Sequence, residues 1–259
     1  MFEIIAVVIA VSGLTIAGFW DLFTTEVPDE VPAIMLSFGV FLWYFNALST
    51  GDFLPLFYSL VLGASVLILG LVLYKKGHWG GADAWLLAAL AFLLPFYHSE
   101  IFIYPFIFNL LVVGTVYMIA YAIILGFLNR RVFYYFVDDI KNNRSIVLVP
   151  IVILGFFFLL LYPYINYLII ISLILLILFW RYALVIENRV FKKRIRSSEL
   201  RKGDVLEEMI WRGLTEEEVK DIKRKREFVV VKEGVRFIPV FPIALAITLI
   251  YGNLMFLFF

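Results

Sequence analysis

Two aspartates carry the strongest chemical signal in the chain. Asp21 closes an apolar stretch in Gly18-Phe19-Trp20-Asp21, and Asp83 opens another in Trp79-Gly80-Gly81-Ala82-Asp83-Ala84-Trp85. An ionisable group at the rim of a membrane-crossing helix is costly unless it is paired or faces a wet cavity, which makes each a functional candidate by position. Taken singly, either Asp could simply cap or end its helix. Taken together, at one membrane edge, they form a candidate catalytic pair. Two carboxyl groups a few ångströms apart share a proton because both cannot easily ionise. One then acts as base on water and the other as acid on the carbonyl oxygen of a peptide. Gly80 and Gly81 lack side chains and Ala82 has only a methyl, so backbone here can approach a substrate strand or a neighbouring helix closely. An extended peptide inside a membrane needs such backbone partners. Glu26, Asp29 and Glu30 follow Asp21 as acids on an otherwise basic face. They are placed to attract basic substrate residues, or merely to end the helix and solvate the turn.

Other reaction classes lack their residues. Cys is absent, which excludes disulfides, cysteine-ligated zinc, iron–sulfur clusters and a cysteine nucleophile. There is no Gly-x-Ser-x-Gly elbow, no His-Glu-x-x-His helix and no phosphate-binding glycine loop. His78 and His98 fall on opposite sides of the membrane in the topology below, so a two-histidine metal site is excluded and His78 reads as an interfacial residue. No metal, cofactor or nucleic acid is expected. The alternative from another class is an ion- or proton-coupled transporter using Asp21 and Asp83; it predicts repeat symmetry and carboxylates near mid-membrane, and neither is evident.

Helices that cross a membrane must position these residues. The apolar fraction is 63% and the mean hydropathy +0.97, against roughly 45–50% apolar residues in soluble domains. A crossing takes roughly 20 apolar residues. The sequence predicts spans at 2–20, 31–49, 54–74, 84–98, 103–128, 147–163, 166–186 and 239–258. The fourth is short and meets Pro95, and the pair broken at Pro163 reads either as two spans or as one shallow or bent element. Six to eight helices follow. Placing the N-terminus outside makes 21–30, 75–83, 129–146 and 187–238 cytoplasmic, puts all 22 Lys and Arg on that side, Arg181 near the cytoplasmic end of its span, and leaves Glu3, Asp52 and Glu100 outside. Asp21 and Asp83 then share the cytoplasmic edge. Residues Met1, Phe2 and Glu3 before the first apolar run read as the start of a retained span rather than a cleaved signal.

The expected organisation is an all-α polytopic membrane protein with a small cytoplasmic α+β segment: a helical domain over 1–186 carrying the aspartates, a cytoplasmic domain over 187–238, and a last span over 239–259. Within the cytoplasmic domain, Lys192, Lys193, Arg194 and Arg196 suit anionic head groups of membrane lipids or a solvated face. Thr215 and Glu218 have capping-box spacing and start a helix to Arg226. Phe228–Val231 and Val235–Ile238, separated by Lys232, Glu233 and Gly234, read as a hairpin.

At Asp21 and Asp83 the sequence resembles the GxGD aspartyl proteases of the type IV prepilin peptidase and archaeal preflagellin peptidase group. That family places one catalytic Asp at the cytosolic end of the first helix, before an Ile-Pro-like turn, and the other in Gly-x-Gly-Asp at the start of the fourth. Here Asp21 precedes Glu26-Val27-Pro28-Asp29, and the second motif reads Gly80-Gly81-Ala82-Asp83. Tyr104-Pro105-Phe106 through Asn109 is similar to the family's fifth helix, and Phe237-Ile238-Pro239-Val240-Phe241-Pro242-Ile243 to its last. Ala82 replaces the second motif Gly, Trp85 stands where relatives often have Lys, and the spans within 147–186 look like an addition. The presenilin-like alternative places its aspartates on adjacent helices with a Tyr before the first, whereas Trp20 precedes Asp21 here and two spans intervene. The Cys-rich segment and methylating activity of bacterial relatives have no counterpart, which points to the peptidase-only archaeal branch. The resemblance implies an endopeptidase at the cytoplasmic face of the cell membrane, cleaving class III signal peptides from archaellin or type IV pilin-like precursors after a Gly.

Overall fold

The computed structural model describes residues 1–77, 79–129, 131–161, 167–208, 213–232 and 234–257. His78, the break at Pro163 and Glu233 in the expected hairpin turn lie outside them. In chain order the elements are α1 (Phe2–Thr24), α2 (Glu30–Thr50), α3 (Leu54–Lys75), α4 (Gly81–Leu93), β1 (Phe96–Tyr97), β2 (Glu100–Ile101), α5 (Ile103–Leu128), α6 (Arg131–Asn142), α7 (Arg144–Leu161), α8 (Tyr167–Ile186), β3 (Lys192–Arg196), α9 (Glu216–Lys225), β4 (Phe228–Lys232) and α10 (Val240–Tyr251). Five stretches, α1, α2, α3, α5 and the one containing most of α8, are long and apolar enough to cross a membrane; a sixth results if α6 and α7, bent by 74° at their junction, form one span. Large apolar side chains such as Ile4, Val8, Phe41, Phe45 and Leu69 remain exposed on these helices, as lipid-facing residues must. The protein is a mostly helical, multi-pass membrane protein with a small strand-containing region.

Two compact units divide the chain. The first comprises Met1–Met118 with Gly234–Phe259, the second Ile119–Glu208 with Gly213–Glu233. At the centre of the first unit lies α4, which packs against α1, α2 and α3 and buries nearly every residue from Asp83 to Leu93. The expected span to residue 98 stops at Leu93. Pro95 lacks the N–H that would continue the helix, and β1 and β2 pair as a minimal hairpin beyond it. The ending strands carbonyls inside the protein, and two side chains recover them. Ser59 Oγ donates to the Phe92 carbonyl at 2.7 Å and Trp43 Nε1 to the Leu93 carbonyl at 3.0 Å. The expected last span is likewise shortened, to the 12 residues of α10. Gly252 turns at φ +71. Buried Asn109 donates to the Gly252 carbonyl at 2.7 Å and to Thr248 Oγ1 at 2.9 Å, and accepts from the Leu254 N–H at 3.0 Å.

In the second unit, α6 occupies what reads in the sequence as a connection over 129–146; it is an amphipathic helix whose charges obscure its apolar side. Arg181, counted above among cytoplasmic cations, lies inside α8. There its guanidinium bridges Asp139 of α6, Nε to Oδ2 at 2.9 Å and Nη2 to Oδ1 at 2.6 Å. The expected hairpin over 228–238 is not formed. β4 instead pairs antiparallel with β3, Arg194 opposite Val230, while its other edge bonds Val205 and Glu207. Val229 and Val231 are buried by this pairing, and 235–237 is left irregular. The basic run therefore builds a strand, in which Lys192 pairs with Glu207 at 2.8 Å and Arg194 lies over the Phe228 ring. The capping box at Thr215 forms as expected, with Glu218 N–H to Thr215 Oγ1 at 3.3 Å and Thr215 N–H to Glu218 Oε2 at 2.9 Å.

Candidate active site

Asp21 sits on the buried side of α1. Ala6, Ala10, Leu14, Ala17 and Asp21 follow one another at steps of three or four residues, so the carboxylate ends the stripe that this helix turns toward the core. It is 5% exposed. The helix closes one turn later through Thr25, in the left-handed region at φ 61, whose N–H returns to the Asp21 carbonyl at 2.9 Å. Asp21 Oδ2 accepts the backbone N–H of Ile238 at 3.2 Å, and Arg236 lies within electrostatic reach. Among the described residues no donor faces Oδ1.

Asp83 occupies the third position of α4 and is 9% exposed. Gly80 caps this helix in an extended conformation, φ −73 and ψ 149, and presents its N–H to Asp83 Oδ2 at 3.2 Å. A β-carbon on Gly80 would stand 2.6 Å from that oxygen, so glycine is what lets the carboxylate reach back. Oδ1 of Asp83 is buried and has no hydrogen-bond partner among the described residues. The charge of Asp21 reaches Asp83. The two carboxylates thus share one pattern among the described residues: a backbone amide holds one oxygen, and the other receives no hydrogen bond.

Not every residue singled out from the sequence is drawn into this arrangement. Gly81 and Ala82 form the first turn of α4 behind the Gly80 cap, with room at Gly81 for a β-carbon in ordinary contact, 3.4 Å from the Tyr74 ring. Glu26, Asp29 and Glu30 are exposed and make no ion pair among the described residues. Conversely, the support that Asp21 receives from 236–238 has almost no sequence signal, because a backbone amide belongs to every residue but proline. The signal that could have found the buried side of α1 is its small residues, Ala6, Ala10, Ala17 and Gly18. The second unit holds a polar cavity of about 280 Å3 bordered by the Asp139–Arg181 pair, and none of the sequence-derived site residues lines it.

Residues 8–128 match the type IV leader peptidase family. That stretch runs from within α1 to the end of α5 and contains both aspartates, and the match supports a likeness to prepilin/preflagellin peptidases. No curated protein and no solved structure matches the chain.

Proposed function

We propose that the protein is an intramembrane aspartyl endopeptidase that removes class III signal peptides from archaellin or type IV pilin-like precursors at the cytoplasmic face of the cell membrane, with its N-terminus outside. The observation that carries this reading is the shared pattern of Asp21 and Asp83, two buried carboxylates each held by one backbone amide, with the charge of Asp21 felt at Asp83. The held oxygen fixes the orientation of each group. The other oxygen is left for water, for the substrate, or for the second carboxyl.

The chemistry follows from sharing one proton. The ionised carboxylate takes a proton from water as the water oxygen adds to the scissile carbonyl carbon, and the protonated partner gives its proton to the carbonyl oxygen. Collapse of the tetrahedral intermediate breaks the C–N bond, with a proton passing to the leaving amine. Because the pair acts as one unit, Asp21→Asn and Asp83→Asn should each abolish cleavage while the protein still inserts and folds. Membranes carrying wild type or either variant, incubated with archaellin and pilin precursors, test this when the new N-termini are sequenced. Full activity in either variant removes that residue from the mechanism.

Substrate charge enters through Glu26, Asp29 and Glu30. They follow Asp21 closely in sequence, are exposed, and have no cationic partner among the described residues. A precursor with Lys or Arg just before the cleaved bond is attracted to such a loop, by about 1 kcal/mol or less per rim charge. Changing all three to Gln, Asn and Gln should raise KM for basic precursors and flatten its salt dependence, with kcat nearly intact. Unchanged kinetics at low salt would show that the loop does not read charge.

A further inference from the structure

Two helices of the first unit grip the same tetrapeptide, Arg236–Pro239, in the same way. On α5, Gly114 and Tyr117 are one turn apart. Phe237 fills the notch at Gly114, where a β-carbon would stand 3.0 Å from the ring, and the Tyr117 hydroxyl donates to the Arg236 carbonyl at 2.8 Å. On α1, Gly18 and Asp21 have the same spacing. Pro239 Cα would lie 3.3 Å from a β-carbon on Gly18, and Asp21 Oδ2 accepts from the Ile238 N–H. Each helix thus supplies a glycine notch and one polar side chain, and the segment between is fixed at both ends. Phe237 also meets Phe241 edge-on, 6.3 Å between ring centroids, which ties the segment to the first turn of α10.

The geometry points to Arg236–Pro239 as a positioning strap for Asp21, with Tyr117 as the residue that sets it. The inference rests on the aspartyl peptidase reading only for its catalytic consequence. Tyr117 acts through the strap: its hydroxyl holds the Arg236 carbonyl, which orients the peptide plane leading to Phe237 and places the Ile238 N–H on Oδ2. Losing the hydroxyl lets the amide drift, and the Asp21 carboxylate loses its fixed orientation while the fold keeps its apolar anchors at Phe237 and Pro239.

Tyr117→Phe removes the one hydroxyl and keeps the ring; Ile238→Val keeps the amide and serves as control. The infrared carboxylate band of Asp21, isolated in each background as the difference from the same protein with Asp21→Asn, reads the hydrogen bond without requiring turnover. We expect the band to shift and broaden in Tyr117→Phe and to stay in place in Ile238→Val, with melting temperatures close to wild type. An unmoved band in Tyr117→Phe overturns the strap whatever the activity. In the precursor assay, Tyr117→Phe should lower kcat about tenfold at unchanged KM, the signature of an interaction that orients a reacting group rather than binds substrate. A shifted band with undiminished cleavage by Asp21→Asn would uphold the strap and refute the peptidase reading instead.

Discussion

At residue 80 a β-carbon and the Asp83 carboxylate compete for one space. The Gly80 amide holds Oδ2 at 3.2 Å, and a methyl there would stand 2.6 Å from the same oxygen, so Gly80→Ala must push the carboxylate aside. Misplacing a reacting group by about 1 Å costs on the order of a hundredfold in rate, and that loss is expected for precursor cleavage by Gly80→Ala. Gly81→Ala, with its new methyl in ordinary contact 3.4 Å from Tyr74, should stay near the wild-type rate. Equal rates in the two variants would show that the cap bond at Gly80 does not matter to the chemistry. The contrast refines what the motif gives from sequence alone, where Gly80, Gly81 and Ala82 look equivalent as open backbone. The aspartates themselves were legible because a carboxylate flanked by apolar helix has few structural excuses. Their amide donors were not: Gly80 is local and was at least within the motif, but Ile238 lies 217 residues from Asp21 and offers only backbone.

The short helices α4 and α10 both stop short of a full span, α4 at carbonyls inside the protein, and side chains from other helices bond the chain at each end. Ser59→Ala strands one carbonyl that otherwise receives a 2.7 Å bond, and interhelical bonds of this kind in membranes average about 0.6 kcal/mol with a maximum near 1.7. A loss of about 1 kcal/mol is expected. Asn109→Leu removes three bonds at once and leaves the Gly252 carbonyl and the Leu254 N–H unmatched, so about 3 kcal/mol should be lost. Denaturant unfolding in detergent measures both, and equal losses would refute the capping role of Asn109. Sequence pattern located the spans well because apolar runs decide them, but it misplaced their ends. Nothing in the run to Pro95 says that Trp43 and Ser59 will accept a helix stopping at Leu93. Strand pairing failed for a related reason. Val229 and Val231 announce a strand with one buried face, yet its partner Lys192–Arg196 reads as a polar basic run, and local alternation does not name a partner from far along the chain.

Across the whole molecule, every residue of the candidate site belongs to the first unit, and the family match ends at residue 128, just inside the second. The second unit has its own polar anchor in Asp139 and Arg181, with Arg181 only 7% exposed. Asn143 supports the pair by donating to Asp139 Oδ1 at 3.0 Å. Removing one member of a fully buried pair leaves an uncompensated charge and costs about 3–5 kcal/mol, less here because the Asp139 side chain is 22% exposed, whereas replacing both with apolar residues of similar volume is often neutral. Asp139→Leu and Arg181→Met should therefore each destabilise the protein, and the double variant should recover most of the loss, as followed by thermal unfolding in detergent. If the site chemistry is self-contained in the first unit, the double variant should cleave precursors at the wild-type rate per folded molecule. A folded, stable double variant that has lost cleavage would show that the second unit takes part in the reaction, and the division of labour between the units would have to be redrawn around α6 and α8.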